Sequence, residues 1–357
     1  MTPTLETYGW NDFFAENFAA YAAEGFIPGR VILQHNKIYA LYTEAGETEA
    51  EVTGRLRHEA AGPEDLPAVG DWVAVRVREG ITPRIHAVLP RKSKFSRKAA
   101  GGRDEEQVVA ANVDTVFLVT GLDDDYNPRR IERYLIMAWE SGARPVILLN
   151  KSDLRPAETD ALASEVERVA PGAPVVTLSA KHDEQLEQLA PYVAPGETVA
   201  LMGSSGVGKS TIVNRLVGRD VQRTAEVRLS DSRGRHTTTH RELIVLPSGG
   251  IVIDTPGMRE LQLLVSDRGL RETFEDIEDV AASCRFTDCR HEGEPGCAVR
   301  AALEAGALDR ERYGNYQKML REMEELAART DARLSQERKE RVKRVMRAYN
   351  KTYKRKS

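Results

Sequence analysis

The chain of 357 residues is 41% apolar and 30% charged, a composition typical of a globular protein with two or three domains. Its first residues lack a basic stretch ahead of an apolar run, which argues against a secretory signal peptide. No segment approaches the roughly 18 uninterrupted apolar residues of a membrane span. These properties argue against a membrane or secreted protein, and we expect a cytoplasmic one.

The net charge of −4 conceals a basic carboxyl-terminal tail. Residues 338–357 carry ten Lys and Arg against one Glu, so the tail is +9 and the remainder of the chain is −13. Segregated positive charge is typical of contact with a polyanion such as RNA. A solvated terminus without a partner would have the same composition, so the charge leaves both interpretations open.

Two kinds of pattern divide the rest of the chain. Residues 31–90 contain short β-rich runs separated by turn-forming residues, which favours a small all-β barrel or sandwich. Residues 96–106 are polar and contain Gly, as in a linker. From residue 113, apolar runs near 113, 146, 174, 198, 242 and 250 alternate with helical patterns. This alternation predicts an α/β domain with a parallel sheet, in which ligands bind at the carboxyl ends of the strands.

The sequence GSSGVGKS matches the phosphate-loop pattern G-x-x-x-x-G-K-[ST], and it lies between a strand-like run and a helical one. Its glycines let the backbone curl so that successive amides face the phosphates. Lys209 is expected to reach the β and γ phosphates as a catalytic residue, and the Ser210 hydroxyl to bind Mg²⁺. The predicted phosphate-binding residues are Gly203, Ser204, Ser205, Gly206, Val207, Gly208, Lys209 and Ser210.

The sequence DTPG ends a further apolar run, about fifty residues after the phosphate loop. Asp254 would hold Mg²⁺, commonly through a water, and the Gly257 amide would contact the γ phosphate. A polar segment between the two motifs contains three consecutive threonines, one of which can complete the Mg²⁺ shell. We favour Thr238 for this role, with Thr237 and Thr239 as alternatives.

The sequence NKSD follows another apolar run and resembles the tetrapeptide by which GTPases recognise guanine. The Asp153 carboxylate can accept hydrogen bonds from N1–H and the 2-amino group of guanine, whereas adenine offers neither donor. Lys151 would lay its aliphatic stem on the base. The sequence LSAK ends the next run and fits the second guanine-contacting loop, with the Ala180 amide facing O6. The predicted nucleotide is GTP, with base-binding residues Asn150, Lys151, Ser152, Asp153, Ser179 and Ala180.

The order of these motifs is unusual. NKSD precedes the phosphate loop by about fifty residues, whereas GTPases usually place it after that loop. A folded sheet fixes its contacts in space and tolerates moving the chain ends to another surface loop. The order therefore predicts a circularly permuted GTPase domain.

All three cysteines lie in one short segment, where Cys284, Cys289, His291 and Cys297 form a C-x4-C-x-H-x5-C set. Three thiolates and one imidazole suit a closed tetrahedral Zn²⁺ site, which is structural because no coordination position stays open for water. Reduced cysteines beside an incidental histidine are the alternative. The absence of cysteine elsewhere in the sequence argues against a disulfide framework.

These motifs, in this order, resemble the ribosome small-subunit-dependent GTPase A family of bacteria over nearly the whole chain from about Gly29. The resemblance implies a multidomain protein with an N-terminal OB-fold, a circularly permuted P-loop GTPase domain and a mainly α zinc-binding domain. It extends the phosphate loop to Thr211, and it implies Mg²⁺ with GTP and one structural Zn²⁺ per chain. It also implies binding to the small ribosomal subunit and its rRNA, action in late subunit maturation, and GTP hydrolysis stimulated by that particle. The predicted segments are 1–28 (extension), 29–98 (OB-fold), 99–110 (linker), 111–265 (GTPase domain) and 266–357 (zinc-binding helical domain with the basic tail).

Many GTPases place a glutamine directly after D-x-x-G to orient the attacking water, but Met258 occupies that position here. A thioether binds water weakly, so intrinsic hydrolysis is expected to be slow. His236, just before the threonines, is the nearest polar candidate for positioning the water and is the second predicted catalytic residue. A loop residue without a ligand role, or one that contacts RNA, is the alternative.

Two other functions fit parts of the sequence. One is an RNA-binding assembly scaffold whose GTP site only regulates binding, and turnover stimulated by ribosomal subunits would argue against it. The other is a permuted GTPase that acts on another ribosomal particle or RNA, which co-sedimentation with separated subunits would test. Nothing in the sequence requires more than a monomer.

Overall fold

The chain forms two compact units, Met1–Gln262 and Leu263–Ser357. No helix within the described part of the chain is long and apolar enough to cross a bilayer. The computed structural model describes residues 4–35, 37–98, 106–218, 242–254 and 267–328.

The first unit begins with a closed β-barrel. Its strands are β1 (Ile27–His35), β2 (Ile38–Thr43), β3 (Gly46–Val52), β4 (Trp72–Arg78) and β5 (Ile81–Val88), with the short helix α2 (Gly54–Glu59) after β3. Antiparallel pairs join β1 to β2, β2 to β3 and β4 to β5, while β3 pairs with β5 in parallel and β1 closes the barrel against β4. This is the five-stranded Greek-key arrangement of an OB-fold, so the predicted OB-like barrel is confirmed. Alternate side chains fill the interior, where Val31, Leu41, Val73, Val75 and Ile85 are fully buried.

The predicted N-terminal extension contains helix α1 (Asp12–Ala23), which packs on β1 and β4. The Trp10 ring lies edge-on to Trp72, with the ring centroids 4.7 Å apart, and its centroid is 5.7 Å from that of Phe18. Trp72 is fully buried by these contacts. Phe14 and Phe18 of α1 share a buried cluster with Trp72 that is separate from the barrel interior. Because such rings remove a large apolar area from water, this second cluster stabilises the packing of α1 on the barrel.

A two-stranded ribbon follows the barrel. It consists of β6 (Lys94–Lys98) and β7 (Glu106–Ala111), which pair in antiparallel fashion. The predicted linker at 99–110 therefore includes most of a strand, in which Val108 and Val109 are buried. The polar, Gly-containing start of that stretch obscured the short apolar run that follows it. Residues 99–105 lie outside the described part of the chain, and the domain boundaries stay predictions.

The remainder of the first unit is an α/β layer. Parallel strands lie side by side in the order β10, β9, β8, β11 and β13, and β12 lies antiparallel beside β13. The six strands predicted from the apolar runs are confirmed, and the base-reading half precedes the phosphate-binding half. The elements are β8 (Thr115–Gly121), α3 (Pro128–Ser141), β9 (Arg144–Asn150), α4 (Thr159–Val169), β10 (Val175–Thr177), β11 (Thr198–Met202), α5 (Lys209–Val217), β12 (Glu242–Val245) and β13 (Ile251–Asp254).

Arg30 is a buried cation that connects the barrel to this α/β layer. Its guanidinium donates to Thr198 Oγ1 at 2.9 Å, to the Asn112 carbonyl oxygen at 3.3 Å and also to the Tyr8 carbonyl oxygen. Desolvation lowers the pKa of Arg30 to about 10, which still leaves it charged at neutral pH. Since Thr198 begins β11, Arg30 ties the barrel to the strand that leads into the predicted phosphate loop.

We expect Arg30→Met to lower the free energy of unfolding of the first unit by about 3 kcal/mol, because three buried oxygen acceptors lose their donor. All three tryptophans, at 10, 72 and 139, lie in this unit, so intrinsic fluorescence during urea unfolding measures the effect. Arg78→Met is the matched control, since Arg78 is an exposed arginine at the end of β4. Equal losses in the two variants would contradict the proposed role of Arg30.

The second unit is mainly helical in its described part, as predicted. Arg312 forms a two-pronged ion pair with the Asp276 carboxylate, at 3.0 and 2.8 Å, and donates to the Thr273 carbonyl oxygen at 2.8 Å. The predicted zinc ligands lie on the loop between the second and third of its helices. The basic tail at 338–357 lies outside the described residues. The helices are α6 (Asp267–Thr273), α7 (Glu275–Ala282), α8 (Ala298–Glu304) and α9 (310–328).

Candidate nucleotide and zinc sites

The predicted phosphate loop lies between the carboxyl end of β11 and the start of α5. Gly203 and Gly208 take positive φ angles of 150° and 99°. A Cβ at Gly203 would lie 2.2 Å from the Val119 carbonyl oxygen, and a Cβ at Gly208 would lie 2.2 Å from Nδ2 of Asn150. Only glycine fits at both positions, so these two residues allow the loop to wrap as tightly as a phosphate cradle requires.

Lys209 is buried at the start of α5 and turns its ammonium group into this loop. Nζ donates to the carbonyl oxygens of Gly203 at 2.7 Å and Ser204 at 2.5 Å. Ser210 and Thr211 follow on the first turn of α5 and are exposed. Phosphate oxygens can take the place of the two carbonyl acceptors, so the loop offers a fixed positive charge together with backbone amides.

We expect Gly208→Ala to weaken guanine-nucleotide binding by about tenfold or more, because the new methyl group would displace the Asn150 amide. Gly218→Ala is the matched control: its φ of 80° is also positive, but a Cβ there meets no atom within 4 Å. The measurement is the dissociation constant of a fluorescent GDP analogue. Equal weakening in both variants would show that backbone strain, and not the contact with Asn150, is responsible.

Ser210 and Asp254 follow neighbouring strands of the sheet, Ser210 in the first turn of α5 after β11 and Asp254 as the last residue of β13. β11 and β13 pair in parallel, with Ala200 opposite Ile253, and the exposed Asp254 carboxylate ends β13. Hydroxyl and carboxylate oxygens are ligands that Mg²⁺ prefers, so the chemistry of both side chains is compatible with a Mg²⁺ ion. The other predicted residues of this region lie outside the described part of the chain: His236, Thr238 and Gly257.

The buried side chain of Asn150 joins two loops that contact the nucleotide site. Asn150 ends β9, and its Nδ2 donates to the Val207 carbonyl oxygen at 2.8 Å. Its Oδ1 accepts from the Ala180 amide at 3.0 Å. The Ala180 amide, predicted to face guanine O6, is thus directed at Asn150. Through these two bonds Asn150 fixes the phosphate loop against the LSAK loop.

Asp153 presents a carboxylate between the NKSD and LSAK loops. Its Oδ1 accepts from the Ser179 hydroxyl at 2.6 Å, and Nε2 of His182 lies 3.6 Å from Oδ2. The hydrogen bond from Ser179 holds the pKa of Asp153 below its ordinary value, so the carboxylate is ionised at neutral pH. An ionised acceptor is what the two donors on the Watson–Crick edge of guanine require. The backbone amide of Ser152 donates to the Leu178 carbonyl oxygen at 3.2 Å and joins the same two loops.

Lys151 adopts a left-handed backbone conformation with φ of 65°. Such conformations are costly outside glycine and cluster at functional sites. Its Nζ donates to Oδ2 of Asp123 at 2.5 Å, and this hydrogen bond lowers the pKa of the Asp123 carboxyl. The lysine that is predicted to cover the base is therefore held by a carboxylate from the loop after β8.

The four predicted zinc ligands lie together in the second unit. The ligand atoms of Cys284, Cys289, His291 and Cys297 are all within 4.8 Å of one another. Nδ1 of His291 lies 3.6 Å from the Cys284 sulfur and 3.4 Å from the Cys297 sulfur. A tetrahedral zinc ion with bonds of 2.0–2.3 Å separates its ligand atoms by about 3.5–3.8 Å. The set therefore fits a zinc ion.

The surrounding backbone also suits thiolates. The Ala298 amide donates to the Cys284 sulfur at 3.3 Å, and the Arg300 amide donates to the sulfur of Cys297, the N-cap residue of α8, at 3.4 Å. Desolvation, followed by the neighbouring thiols, raises the pKa of Cys289 to about 11. A divalent cation would favour the thiolate forms of the three cysteines, so the cluster is chemically matched to a metal ion.

Comparisons with known proteins agree with this geometry. The RsgA GTPase family model matches residues 88–264, and a model described as a 50S ribosome-binding GTPase matches residues 198–333. A protein from Opitutus terrae, named small ribosomal subunit biogenesis GTPase RsgA, is 53% identical over 352 residues that cover 96% of each chain. The chain belongs to the RsgA GTPase family.

Two solved structures share the fold of this chain. The crystal structure of YjeQ from Thermotoga maritima is 29% identical with a TM-score of 0.63, over 84% of this chain and 98% of that one. A structure of YloQ, described as a circularly permuted GTPase, is 25% identical with a TM-score of 0.61, over 84% and 96% of the two chains. These findings confirm the predicted circular permutation and the predicted class of enzyme, a GTP hydrolase.

Three charged residues that support the nucleotide site of this RsgA family chain were not predicted from its motifs. Asp123 holds Lys151, as described above. Arg130 on α3 donates to Oγ of Ser204 at 2.7 Å, and Arg215 on α5 donates to the Ala180 carbonyl oxygen at 3.2 Å. The sequence signal nearest to them was the run of three aspartates at 123–125, directly after an apolar strand.

Proposed function

We propose that this chain is a GTPase that binds the small ribosomal subunit, acts in its late maturation and is stimulated by that particle. The observation that carries the proposal is the 53% identity, over 96% of both chains, to a protein named for small ribosomal subunit biogenesis. The phosphate loop, the base-reading loops and the cysteine-histidine cluster support it. The proposal places the protein in the cytoplasm as a monomer, with the subunit and its rRNA as partners.

Phosphate binding is assigned to the loop before α5. Lys209 would bind the β and γ phosphates in place of its two carbonyl acceptors, and the amides of residues 203–211 would surround them. Ser210 and Asp254, with Thr238, would hold the Mg²⁺ ion, which neutralises charge on the phosphoryl oxygens when bound. The Gly257 amide would contact the γ phosphate. These roles bring the loop before α5 and the residues at the end of β13 together at the γ phosphate.

Guanine recognition is assigned to the NKSD and LSAK loops. The ionised Asp153 carboxylate would accept from N1–H and the 2-amino group of guanine. The Ser179 hydroxyl orients this carboxylate by donating to its Oδ1. The stem of Lys151 would cover the base, and Asn150 would keep both loops in register with the phosphate loop. Adenine would offer the Asp153 carboxylate neither of these donors, so GTP would be preferred over ATP.

A structural zinc site is assigned to the second unit, and the closeness of the four ligand atoms supports it. Four ligands close a tetrahedral shell and leave no position for water, so the ion would be structural, one per chain. Its ligands span fourteen residues between α7 and α8, and bound zinc would fix these helices relative to each other.

Water activation is assigned to His236, because Met258 replaces the glutamine that commonly orients the attacking water. We expect His236→Ala to remove the stimulation of turnover by small subunits while leaving GTP affinity nearly unchanged. The measurement is phosphate release in the presence of subunits, alongside the dissociation constant of a GTP analogue. Stimulated turnover equal to that of the wild type would disprove the assignment.

The experiment that tests the proposed function is GTP turnover by the purified protein, alone and with isolated small or large ribosomal subunits. ATP in place of GTP is the substrate control. We expect strong stimulation by small subunits only. Stimulation by large subunits instead would indicate a large-subunit partner, in line with the matching model described as a 50S ribosome-binding GTPase. No stimulation by either particle would refute a ribosomal activator.

A further inference from the structure

The segment between β8 and α3 lies outside every recognised GTPase motif, yet it touches both ends of the nucleotide site. We call residues 122–130 the β8–α3 segment. It begins at the carboxyl edge of the sheet and ends in the first turn of α3, capped by the Asn127 side chain, which accepts from the amides of Arg129 and Arg130. The Tyr126 hydroxyl donates to Glu165 Oε2 on α4 at 3.0 Å. These contacts fix the segment at both sides.

At the guanine end, the segment holds Lys151 through Asp123. Lys151 Nζ donates to Asp123 Oδ2 at 2.5 Å, and the two side chains are only 29% and 26% exposed, so water screens the pair incompletely. The Asp125 amide donates to Asp123 Oδ1 at 3.1 Å and orients the carboxylate. Gly121 leaves room for it, since a Cβ there would lie 2.9 Å from Oδ1. The carboxylate is thus held by one hydrogen bond to each of its oxygens, one of them from Lys151.

At the phosphate end, the same segment holds Ser204 through Arg130. Arg130 Nη1 donates to Ser204 Oγ at 2.7 Å and pairs with Asp125 Oδ2 at 2.5 Å. The Tyr134 hydroxyl lies 3.5 Å from the same serine oxygen. Ser204 is the second residue of the phosphate loop, and its carbonyl oxygen accepts from Lys209. Arg130 and Lys209 therefore contact the same residue of the loop, Arg130 at the Ser204 hydroxyl and Lys209 at the Ser204 carbonyl oxygen. Lys209 carries the ammonium that is assigned to the phosphates.

We propose that the β8–α3 segment is a positioning element for the nucleotide, in which Asp123 sets Lys151 against the guanine base and Arg130 sets Ser204 in the phosphate loop. The inference rests on the nucleotide site of the proposed function. Neither residue touches the nucleotide itself in this scheme. Both act by reducing the freedom of a binding residue before the ligand arrives, which raises affinity without a new contact to the ligand.

A double-mutant cycle on nucleotide affinity tests the guanine end. The variants are Asp123→Ala, Lys151→Ala and the double variant, measured with a fluorescent GDP analogue. Each single change is expected to raise the dissociation constant about fivefold to tenfold. The double variant should bind no more weakly than Lys151→Ala alone, because Asp123 acts only through Lys151. Asp123→Asn, which keeps an acceptor oxygen without the charge, should recover part of the loss.

A second cycle, with Arg130→Ala, Ser204→Ala and their combination, tests the phosphate end in the same way. Arg130→Lys should restore part of the affinity, because lysine retains the charge and can donate to the serine hydroxyl. Asp124→Ala is the matched control for the acidic run, since Asp124 is exposed and its variant should bind as the wild type does. Tryptophan fluorescence in urea shows whether each variant is folded.

The outcomes separate the inference from the proposed function. Lys209→Ala should abolish nucleotide binding, and a wild-type protein that binds no GDP, or a Lys209→Ala variant that binds it normally, would overturn the proposed function. The proposed function stands if the wild type binds GDP and Lys209→Ala does not. If, in that case, Asp123→Ala and Arg130→Ala bind GDP as tightly as the wild type, the positioning role is overturned and the proposed function is not. Additive losses in both double variants would also overturn it, because they would show that Asp123 and Arg130 act independently of Lys151 and Ser204.

Discussion

Replacing Asp153 by asparagine is expected to convert a guanine site into one that prefers xanthine. In the proposed site the Asp153 carboxylate would accept from two donors of guanine, whereas the asparagine amide could accept from N1–H but would turn its NH₂ group toward the 2-amino group. Xanthine carries a carbonyl oxygen at that position, which accepts from the amide. We expect the affinity for GTP to fall at least about a hundredfold and the affinity for xanthosine triphosphate to rise. The reason is that the asparagine NH₂ and the guanine 2-amino group are both donors, and donors that face each other without an acceptor cost binding energy.

The structure indicates that this substitution preserves the contact between the NKSD and LSAK loops. Ser179 donates to one oxygen of Asp153, and it can donate equally to the oxygen of an asparagine, so the loop contact is retained. Competition of GTP and xanthosine triphosphate against a fluorescent guanine nucleotide measures the change. Asp160→Asn, an exposed aspartate in the first turn of α4, is the matched control and should leave the preference for guanine unchanged. Equal loss of both nucleotides in Asp153→Asn would mean that Asp153 supports the loop and does not read the base.

The parts of this site that the sequence predicts are those whose information is local. The six strands of the α/β layer are continuous apolar runs, and each recognised motif follows one of them directly. Because the carboxyl ends of parallel strands share one edge, the order of the runs was enough to bring NKSD, LSAK and the phosphate loop together. The reversed order of the motifs then indicated the circular permutation.

The parts that escaped prediction depend on contacts between distant residues. Asp123 lies 28 positions from Lys151, and Arg130 lies 74 positions from Ser204. A charged residue after a strand is usually a solvated one, so nothing local marks either as a partner of the site. Arg30 is harder still to foresee, since a fully buried arginine in a barrel strand contradicts the ordinary burial preference.

The zinc cluster is the opposite case, because its four ligands lie within fourteen residues and their spacing alone restricts the geometry. Cys297 offers a way to remove one metal ligand without deleting a helix cap. Its sulfur caps α8 by accepting from the Arg300 amide, and serine is among the preferred N-cap residues. Cys297→Ser should therefore keep the helix cap and remove one metal ligand.

We expect Cys297→Ser to lose its zinc and to unfold the segment between α7 and α8 while the first unit stays folded. Zinc binding by such ligand sets contributes about 10 kcal/mol of folding free energy, and a helical unit this small has little else to replace it. Atomic absorption measures the zinc content, and amide hydrogen exchange in residues 275–304 measures the folding. Tryptophan fluorescence isolates the first unit, which contains all three tryptophans.

Asp288→Ala, an exposed change in the same loop, is the control and should retain one zinc per chain. Chelation of the wild-type protein should reproduce the exchange pattern of Cys297→Ser, because both remove the same ion. The two perturbations have different side effects, so agreement between them assigns the unfolding to the metal. Slow exchange in residues 275–304 after complete zinc removal would instead mean that the Arg312–Asp276 ion pair and the edge-on contact between the Phe274 and Tyr316 rings are sufficient to hold the unit.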